Sequence, residues 1–272
     1  MGFIRQNSPF FLDNETEKRI IDRLQMEGFV FAEVETQLLI SQAGSIENLM
    51  NMVEIRASGV PLEYVLGFTT FCGLRIEVER GVFVPRKRTE FLVQQAEALT
   101  HMSDIVVDLC CGSGAVGAAL ATGSSKIRLH SVDIDPVAVK CSSGNITNIG
   151  GHVYQGDLYH ALPHTLKGHV NIIVANAPYV PTDAIRLLPQ EARLFEPKVA
   201  LDGGKDGLAL QRKVAEEAPK WLASGGYLLV ETSKMQAAQT YEIFANAGLT
   251  TKIARNEEWD ATVVIGKNKG IE

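Results

Sequence analysis

The chain of 272 residues is longer than one typical compact domain, and its 46% apolar residues are enough to bury a core of ordinary size. This composition, with 21% charged residues, excludes an intrinsically disordered chain. The net charge of −6, with ten acidic and six basic side chains in residues 1–75, disfavours strong binding to nucleic acid, which relies on Lys and Arg contacts to phosphates.

Neither a membrane span nor a metal site is expected. Apolar runs are too short to cross a bilayer, and the first residues, MGFIRQNSPFF, lack the hydrophobic region of a secretory signal. The four cysteines do not form a C-x-x-C pair, and His160 and His164 lack a third ligand. The sequence therefore predicts a cytoplasmic protein with reduced thiols and no bound metal.

The N-terminal region has the spacing of a small helical bundle. Apolar residues recur at helical intervals in three segments, residues 13–27, 31–43 and 45–58. From residue 64 to 84 the pattern changes to β-branched and aromatic residues with glycines at the bends, which predicts a β-hairpin. We expect a helical domain at 1–62, a hairpin linker at 63–85 and a larger domain at 86–272.

The larger domain alternates predicted strands with predicted helices. Strands are expected at 104–110, 126–134, 151–158, 170–176 and 227–232, with helices at 89–99, 115–122, 136–146 and 207–222. Such alternation requires crossover connections and predicts a Rossmann-like α/β domain with a mainly parallel sheet. The short connection between the last two predicted strands, near 249–255 and 261–266, favours an antiparallel pair at the sheet edge.

A glycine-rich turn follows the first strand of this domain. In DLCCGSGAVG, residues 108–117, Gly112 and Gly114 allow a tight turn and close approach of a ligand to the backbone. The next strand ends in Asp133, 21 residues after Gly112, where a carboxylate can accept hydrogen bonds from both ribose hydroxyls. Together these features predict a cofactor that contains adenosine.

Two cofactors are compatible with this turn. Gly112, Gly114 and Gly117 also satisfy the G-x-G-x-x-G pattern of NAD-binding proteins. Asp108 favours S-adenosylmethionine, because a carboxylate at the end of the first strand suits a sulfonium and an amino group and would repel a pyrophosphate. We expect S-adenosylmethionine and keep NAD as the alternative.

A second motif follows the apolar strand at 170–175. In Asn176-Ala177-Pro178-Tyr179, the Asn176 side-chain oxygen and the Ala177 carbonyl are two acceptors suited to the two N–H bonds of an amide or aromatic amine. Tyr179 offers an aromatic face to a planar substrate and to a sulfonium. We therefore assign Asn176 and Tyr179 as catalytic candidates and predict an N-methyltransferase.

These motifs and several other segments resemble the HemK/PrmC family, which methylates the glutamine of the Gly-Gly-Gln motif in class I peptide release factors. The resemblance includes PLEYVLGFTTFCGL (61–74), VFVPRKRTEFLV (82–93), VDIDPVAV (132–139), GDL (156–158) and EPKVALDGGKDGL (196–208). It implies an N-terminal helical domain that docks the substrate, a β-hairpin linker and a seven-stranded class I methyltransferase domain.

The resemblance also implies roles for individual residues. In the cofactor site, a loop on the methionine side would comprise Cys110, Cys111, Gly112, Ser113 and Gly114. Asp133 and its neighbour Ile134 would bind the ribose, and Asp157 and Leu158 would form the turn on the adenine side. Asp108 and Asn176 would also line this site. The substrate clamp would comprise Asn176, Ala177, Pro178 and Tyr179, bordered by Arg86.

Three departures from the family pattern bear on the substrate. Ala177 stands where the family has the first proline of Asn-Pro-Pro-Tyr, Cys110 stands where it usually has glycine, and the closing Asp, Gly and Arg pattern is absent from NEEWDATVVIG. They indicate a related subgroup. The alternatives kept open are a small-molecule or peptide N-methyltransferase, an adenine-specific nucleic-acid methyltransferase, a non-catalytic cofactor-binding protein and an NAD-dependent oxidoreductase.

Overall fold

A computed structural model describes residues 10–123 and 126–270. Residues 1–9, most of the segment in which no secretory signal is expected, lie outside this part. The described residues form two compact units, one of residues 10–68 with 189–195, and one of residues 69–123, 126–188 and 196–270. Within these ranges, none of the helices combines the length and apolarity that crossing a bilayer requires.

The first unit is helical. The three predicted helices are confirmed within one residue at each end, and α4 and α8 are additional: α1 (Asn14–Met26), α2 (Ala32–Gln42), α3 (Ile46–Ala57), α4 (Leu62–Leu66) and α8 (Gln190–Phe195). α1 begins at Asp13, whose carboxylate accepts from the Thr16 N–H at 2.7 Å. The core of the unit includes Ile20, Leu24, Leu39 and Leu49.

Helix α8 is joined to this unit by a buried arginine. The Arg56 Nη1 donates to Glu191 at 2.6 Å, while its Nε and Nη2 donate to the two oxygens of Glu35 at 2.6 and 2.9 Å. The Arg56 guanidinium also lies 3.7 Å from the centre of the Phe29 ring. Residues 189–195 lie within the range predicted for the methyltransferase domain, yet they belong to the helical unit. The sequence did not predict this, because the Arg56–Glu191 contact is long-range and leaves no local pattern.

The hairpin consists of β1 (Phe68–Phe71) and β2 (Leu74–Glu77), and from residue 69 onward it is part of the second unit. The Asn145 side chain exchanges two hydrogen bonds of 2.9 Å with the backbone of Glu77. These bonds hold the predicted linker against the helix that carries Asn145. The first residues of the predicted linker form α4 instead of a strand.

The second unit has the predicted α/β architecture with a seven-stranded sheet. Its strand order is β5-β4-β3-β6-β7-β9-β8, parallel except for β9, which is antiparallel to both neighbours. The predicted antiparallel pair β8–β9 is confirmed, with β9 inserted next to β7. The strands are β3 (Ile105–Leu109), β4 (Arg128–Asp133), β5 (His152–Gln155), β6 (Val170–Ala175), β7 (Leu222–Thr232), β8 (Thr250–Asn256) and β9 (Ala261–Lys267).

Helices cover both faces of this sheet. They are α5 (Glu90–Glu97), α6 (Ala115–Thr122), α7 (Pro136–Ile146), α9 (Ala209–Trp221) and α10 (Ala237–Asn246). The central strands β3 and β6 are almost entirely buried, as expected of parallel strands covered on both sides. Strand β5 is shorter than predicted, because Gly156 and Leu158 have φ values of 155° and 49° that end the extended conformation.

Candidate active site

Four predicted site residues lie at the carboxyl ends of four adjacent strands. Asp157 follows β5, Asp133 ends β4, Asp108 lies near the end of β3, and Asn176 follows β6. Ligands of open α/β sheets bind at this edge. The order of the strands therefore places three carboxylates and then a carboxamide along one edge of the sheet.

The turn after β3 contains three residues in the left-handed conformation. Cys110, Gly112 and Gly114 all have positive φ values, 56°, 56° and 79°. A Cβ on Gly112 would meet no atom within 4 Å, so open space faces this glycine, whereas a Cβ on Gly114 would come within 2.6 Å of Ile146. Cys110 adopts the left-handed conformation that glycine adopts most easily, which explains the glycine common in the family.

Asp133 is held by backbone amides. Its Oδ2 accepts from the Gly112 N–H at 2.8 Å, and its Oδ1 accepts from the Asp135 N–H at 2.9 Å. Burial raises the pKa of Asp133, and these hydrogen bonds oppose the rise. The contact with Gly112 fixes this carboxylate against the glycine turn.

Asp108 is buried and has a free oxygen. Its Oδ2 accepts from the Gly117 N–H at 3.0 Å, and within the described ranges no donor reaches its Oδ1. Burial is the main cause that raises its pKa to about 7, and the nearby Asp133 adds to the rise. A cationic ligand would favour the ionised form, so the residues present fit the charge of S-adenosylmethionine.

Gly117 has a packing role that accounts for the third glycine of the G-x-G-x-x-G pattern. A Cβ at this position would lie 3.1 Å from Asp108 Oδ2 and also 3.1 Å from Ser131 Oγ and Leu129 Cδ2. The glycine thus lets α6 approach β3 and β4. The pattern therefore does not by itself indicate NAD.

The thiols of the turn are protonated. Burial raises the pKa values of Cys110 and Cys111, and neighbouring carboxylates, Asp133 and Asp108 among them, raise them further. A neutral thiol is a weak nucleophile. Neither cysteine therefore competes with the substrate for an electrophilic methyl group.

The turns after β4 and β5 leave apolar and polar groups at the surface. Ile134 is 53% exposed and Asp157 is exposed, whereas Leu158 is buried. The Gly156 N–H donates to the Asp133 carbonyl at 2.9 Å, which ties the turn after β5 to the end of β4. The arrangement suits a flat purine ring beside Ile134 with a carboxylate near its amino group.

The clamp presents two acceptors without internal partners. The Asn176 Nδ2 donates to Thr89 Oγ1 at 3.3 Å, and no residue of the described chain donates to Asn176 Oδ1 or to the Ala177 carbonyl. Ala177 and Pro178 are buried, which makes their backbone the part of them that a substrate can contact. The first proline of the family motif is therefore not needed to keep this carbonyl available.

Tyr179 belongs to a charged network that the sequence did not reveal. Its hydroxyl accepts from Arg88 Nη2 at 2.7 Å and donates to Glu231 Oε1 at 3.1 Å. Glu231 is buried near the end of β7, and its Oε2 has no partner among the described residues. Burial, the largest cause, and the Glu231 charge raise the pKa of Tyr179, which keeps the phenol neutral.

The structure gives Arg86 a partner that the sequence did not predict. Its Nη2 lies 2.6 and 2.7 Å from the two oxygens of Glu196, a buried residue, so its guanidinium neutralises that carboxylate. Arg88, two residues later, is the arginine that reaches Tyr179. The segment Arg86-Lys87-Arg88 offers three basic residues. Lys87 pairs with the nearby Glu90, and only the distant partners of Arg86 and Arg88, over 90 residues away, distinguish the roles of the two arginines.

A loop supports the backbone of the clamp. The Gln236 Nε2 donates to the Tyr179 carbonyl at 3.0 Å and to the Asp206 carbonyl at 3.1 Å. A Cβ on Gly207 would lie 2.3 Å from the Tyr179 carbonyl oxygen, and one on Gly203 would lie 2.7 Å from the Pro178 carbonyl oxygen. The glycines of LDGGKDG therefore allow this loop to pack on the clamp.

Comparison with known proteins agrees with this geometry. The model of the methyltransferase small domain matches residues 73–192. A release factor glutamine methyltransferase of Geobacter sulfurreducens is 32% identical over 245 residues, covering 83% of this chain and 85% of the relative. One of Streptomyces coelicolor is 36% identical, covering 71% and 70%. The chain belongs to the release factor glutamine methyltransferase family.

Two further similarities complete the comparison. A 4-amino-L-phenylalanine/4-methylamino-L-phenylalanine methyltransferase of Streptomyces pristinaespiralis is 32% identical, covering 72% of this chain and 69% of the relative. A methyltransferase from Pyrococcus furiosus shares the fold, with a TM-score of 0.56 at 17% identity, covering 73% of this chain and 90% of that one. The family establishes an S-adenosylmethionine-dependent methyltransferase, which settles the choice against NAD.

Proposed function

We propose that this enzyme methylates the side-chain amide nitrogen of the glutamine in the Gly-Gly-Gln motif of a class I peptide release factor. The observation that carries the proposal is the pair of free acceptors, Asn176 Oδ1 and the Ala177 carbonyl. A primary amide has two N–H donors, and these acceptors match them in number and kind. The release factor is proposed as the acceptor because the similar proteins of Geobacter sulfurreducens and Streptomyces coelicolor are release factor glutamine methyltransferases.

The residues of the site perform the positioning that the reaction requires. S-adenosylmethionine supplies an electrophilic methyl group and a neutral sulfide as leaving group. Asn176 and Ala177 hold both amide hydrogens, which directs the nitrogen lone pair and stabilises the positive charge that develops as the N–C bond forms. The methylated amide then loses one of these protons to water, so the step needs no strong base in the site.

The sites assigned from the sequence remain part of this proposal. Asp133 would accept from the ribose hydroxyls, Asp108 and the turn of residues 110–114 would bind the methionine part, and Ile134, Asp157 and Leu158 would bind the adenine. Tyr179, held by Arg88 and Glu231, would present its ring to the planar amide. Arg86, whose guanidinium is paired with Glu196, would border the clamp.

The helical unit would dock the release factor. Helix α2 carries a second apolar face that the unit does not bury, with Phe31 69%, Val34 48% and Leu38 38% exposed. Apolar residues at this spacing form one stripe along the helix, and exposed apolar patches are typical of protein-binding surfaces. The net charge of −6 favours a protein acceptor over a nucleic acid.

Intact-mass measurement tests the proposal. Release factor incubated with the enzyme and S-adenosylmethionine should gain one methyl group, and peptide mapping should place it on the Gly-Gly-Gln glutamine. A release factor with Ala in place of that glutamine is the matched control and should gain none. Methylation of an aromatic amine such as 4-amino-L-phenylalanine, with an unchanged release factor mass, would overturn the proposed acceptor.

A further inference from the structure

The side chain of Thr89 has a partner far away in the sequence. Thr89 ends the 3-10 turn Lys87–Thr89 and leads directly into α5, and because its φ and ψ of −67° and −17° are helical, its hydroxyl is not placed to cap the helix as an extended N-cap residue would. No such cap bond is present at Thr89. Its hydroxyl accepts instead from the Asn176 side chain, 87 residues away in the sequence, and Thr89 itself is only 2% exposed.

The orientation of the Asn176 carboxamide depends on this contact. With Nδ2 donating to Thr89, Oδ1 is left without a partner in the described chain and can accept from a substrate amide. The opposite orientation would present an N–H to the N–H of the substrate, and two donors repel each other. In the orientation that the clamp needs, Thr89 provides the acceptor for the Asn176 Nδ2 hydrogen.

The turn that carries Thr89 is anchored on its other side. Glu90 accepts from the Cys72 N–H at 2.9 Å and pairs with Lys87, which ties the 3-10 turn Lys87–Thr89 to the β-hairpin. The neighbouring Arg88 donates to the Tyr179 hydroxyl. One short turn thus contacts both polar side chains of the clamp.

We propose that Thr89 is a positioning residue for methyl transfer, which accepts the Asn176 side-chain N–H and thereby presents Asn176 Oδ1 to the acceptor amide. This inference rests on the proposed function for the identity of the acceptor. Thr89 touches neither the reacting nitrogen nor the cofactor in this role and acts only through Asn176.

The kinetic test replaces the hydroxyl while keeping the shape. Thr89→Val should lower kcat for release factor about tenfold, the loss expected when one hydrogen bond of about 1.4 kcal/mol is removed. KM and cofactor affinity should change much less, and Thr89→Ser should restore kcat. Thr100→Val is the matched control, because the Thr100 hydroxyl donates only to the Ala96 carbonyl at 2.7 Å.

A double-mutant cycle tests whether Thr89 acts through Asn176. A carboxylate offers an acceptor oxygen in either orientation, so in an Asn176→Asp background the Thr89→Val change should cost markedly less than in the parent. Equal losses in both backgrounds would show that Thr89 has a merely structural role. If Thr89→Val does not fold, Thr89→Ala serves in its place.

The side-chain amide resonance of Asn176 provides a readout that needs no acceptor. Nuclear magnetic resonance should identify it as the signal lost in Asn176→Asp. It should keep its chemical shift in Thr89→Ser and Thr100→Val and move in Thr89→Val. A parent enzyme that leaves release factor unmodified would contradict the proposed function alone, whereas an unmoved Asn176 signal in Thr89→Val would overturn the role of Thr89.

Discussion

At the scale of single residues, Asp108 links the protonation of the site to stability. Burial raises its pKa to about 7 in the folded protein, against 3.8 for an ordinary aspartate. Between these values the folded state holds a proton that the unfolded chain has released, so this residue makes the free energy of unfolding fall as pH rises from about 4 to about 7.

We expect Asp108→Asn to remove this contribution. Chemical denaturation of the cofactor-free protein across that pH range should show a shallower fall in the free energy of unfolding for the variant than for the parent. Gly117→Ala is not a suitable control because its Cβ would crowd Asp108. Asp183→Asn, on the 3-10 turn Thr182–Leu187, is a better one. Identical slopes in parent and Asp108→Asn would show that Asp108 titrates normally.

Asn176 is expected to act in the transition state more than in cofactor binding. Its carboxamide oxygen becomes a better acceptor as positive charge develops on the attacked nitrogen. Asn176→Ala should therefore lower the rate of single-turnover methyl transfer by ~10² to 10³-fold, the loss seen in other enzymes when one preorganised polar group is removed. Asn176→Asp, which keeps an acceptor, should retain more activity. Parental turnover in the Ala variant with normal cofactor binding would exclude the clamp mechanism.

At the scale of elements, the loop that supports the clamp depends on Gly207. Gly207 and Gly225 have similar φ values of 77° and 80°, but a Cβ would lie 2.3 Å from the Tyr179 carbonyl oxygen at Gly207 and meet nothing within 4 Å at Gly225. Both alanine variants bear the left-handed strain of about 1–2 kcal/mol. Gly207→Ala should lose roughly 1–3 kcal/mol more, through overpacking.

This pair of variants also separates stability from activity. Gly207→Ala should shift the Tyr179 backbone and lower turnover, whereas Gly225→Ala should keep parental turnover at a temperature where both are folded. Thermal unfolding and initial rates measure the two effects. Equal behaviour of the two variants would mean that the loop accommodates a methyl group without moving the clamp.

At the scale of the whole molecule, the cofactor should stabilise the fold. A ligand that binds only the native state raises the midpoint of thermal unfolding, by an amount that grows with its concentration relative to Kd. S-adenosylmethionine and its demethylated product should both raise the midpoint, and NAD should leave it unchanged. Asp133→Ala is the matched variant, in which the shift should be smaller because the ribose loses a charged acceptor worth roughly 1.5–3 kcal/mol.

Substrate docking should depend on the exposed face of α2. Combining Phe31→Ser with Val34→Ser should raise KM for release factor while leaving cofactor affinity and stability almost unchanged, because both side chains are exposed. Met102→Ser, at a residue 75% exposed in the second unit, removes an exposed apolar side chain elsewhere and should leave KM unchanged. An unaltered KM in the double variant would place docking on another surface.

The sequence by itself determined the features that depend on neighbouring residues. Strand and helix periods predicted the α/β architecture, and Asp108, Asp133 and Asn176 could be assigned to strand ends because apolar runs stop at or just before them. Since the carboxyl ends of parallel strands meet at one edge, the local pattern was sufficient to bring these residues together. The positions of the glycines likewise followed from the turn that joins β3 to α6.

Only the tertiary structure decided between residues of the same local character. Arg86 and Arg88 lie in one basic segment, and their roles depend on Glu196 and Glu231, more than 100 residues away. Helix α2 is apolar on two faces, and its period cannot tell which face packs in the core. Residues 189–195 join the helical unit through Arg56, and the Thr89 hydroxyl reaches Asn176, 87 residues away. In each case the deciding free energy comes from a long-range contact of charge, hydrogen bond or packing, which only the folded chain brings together.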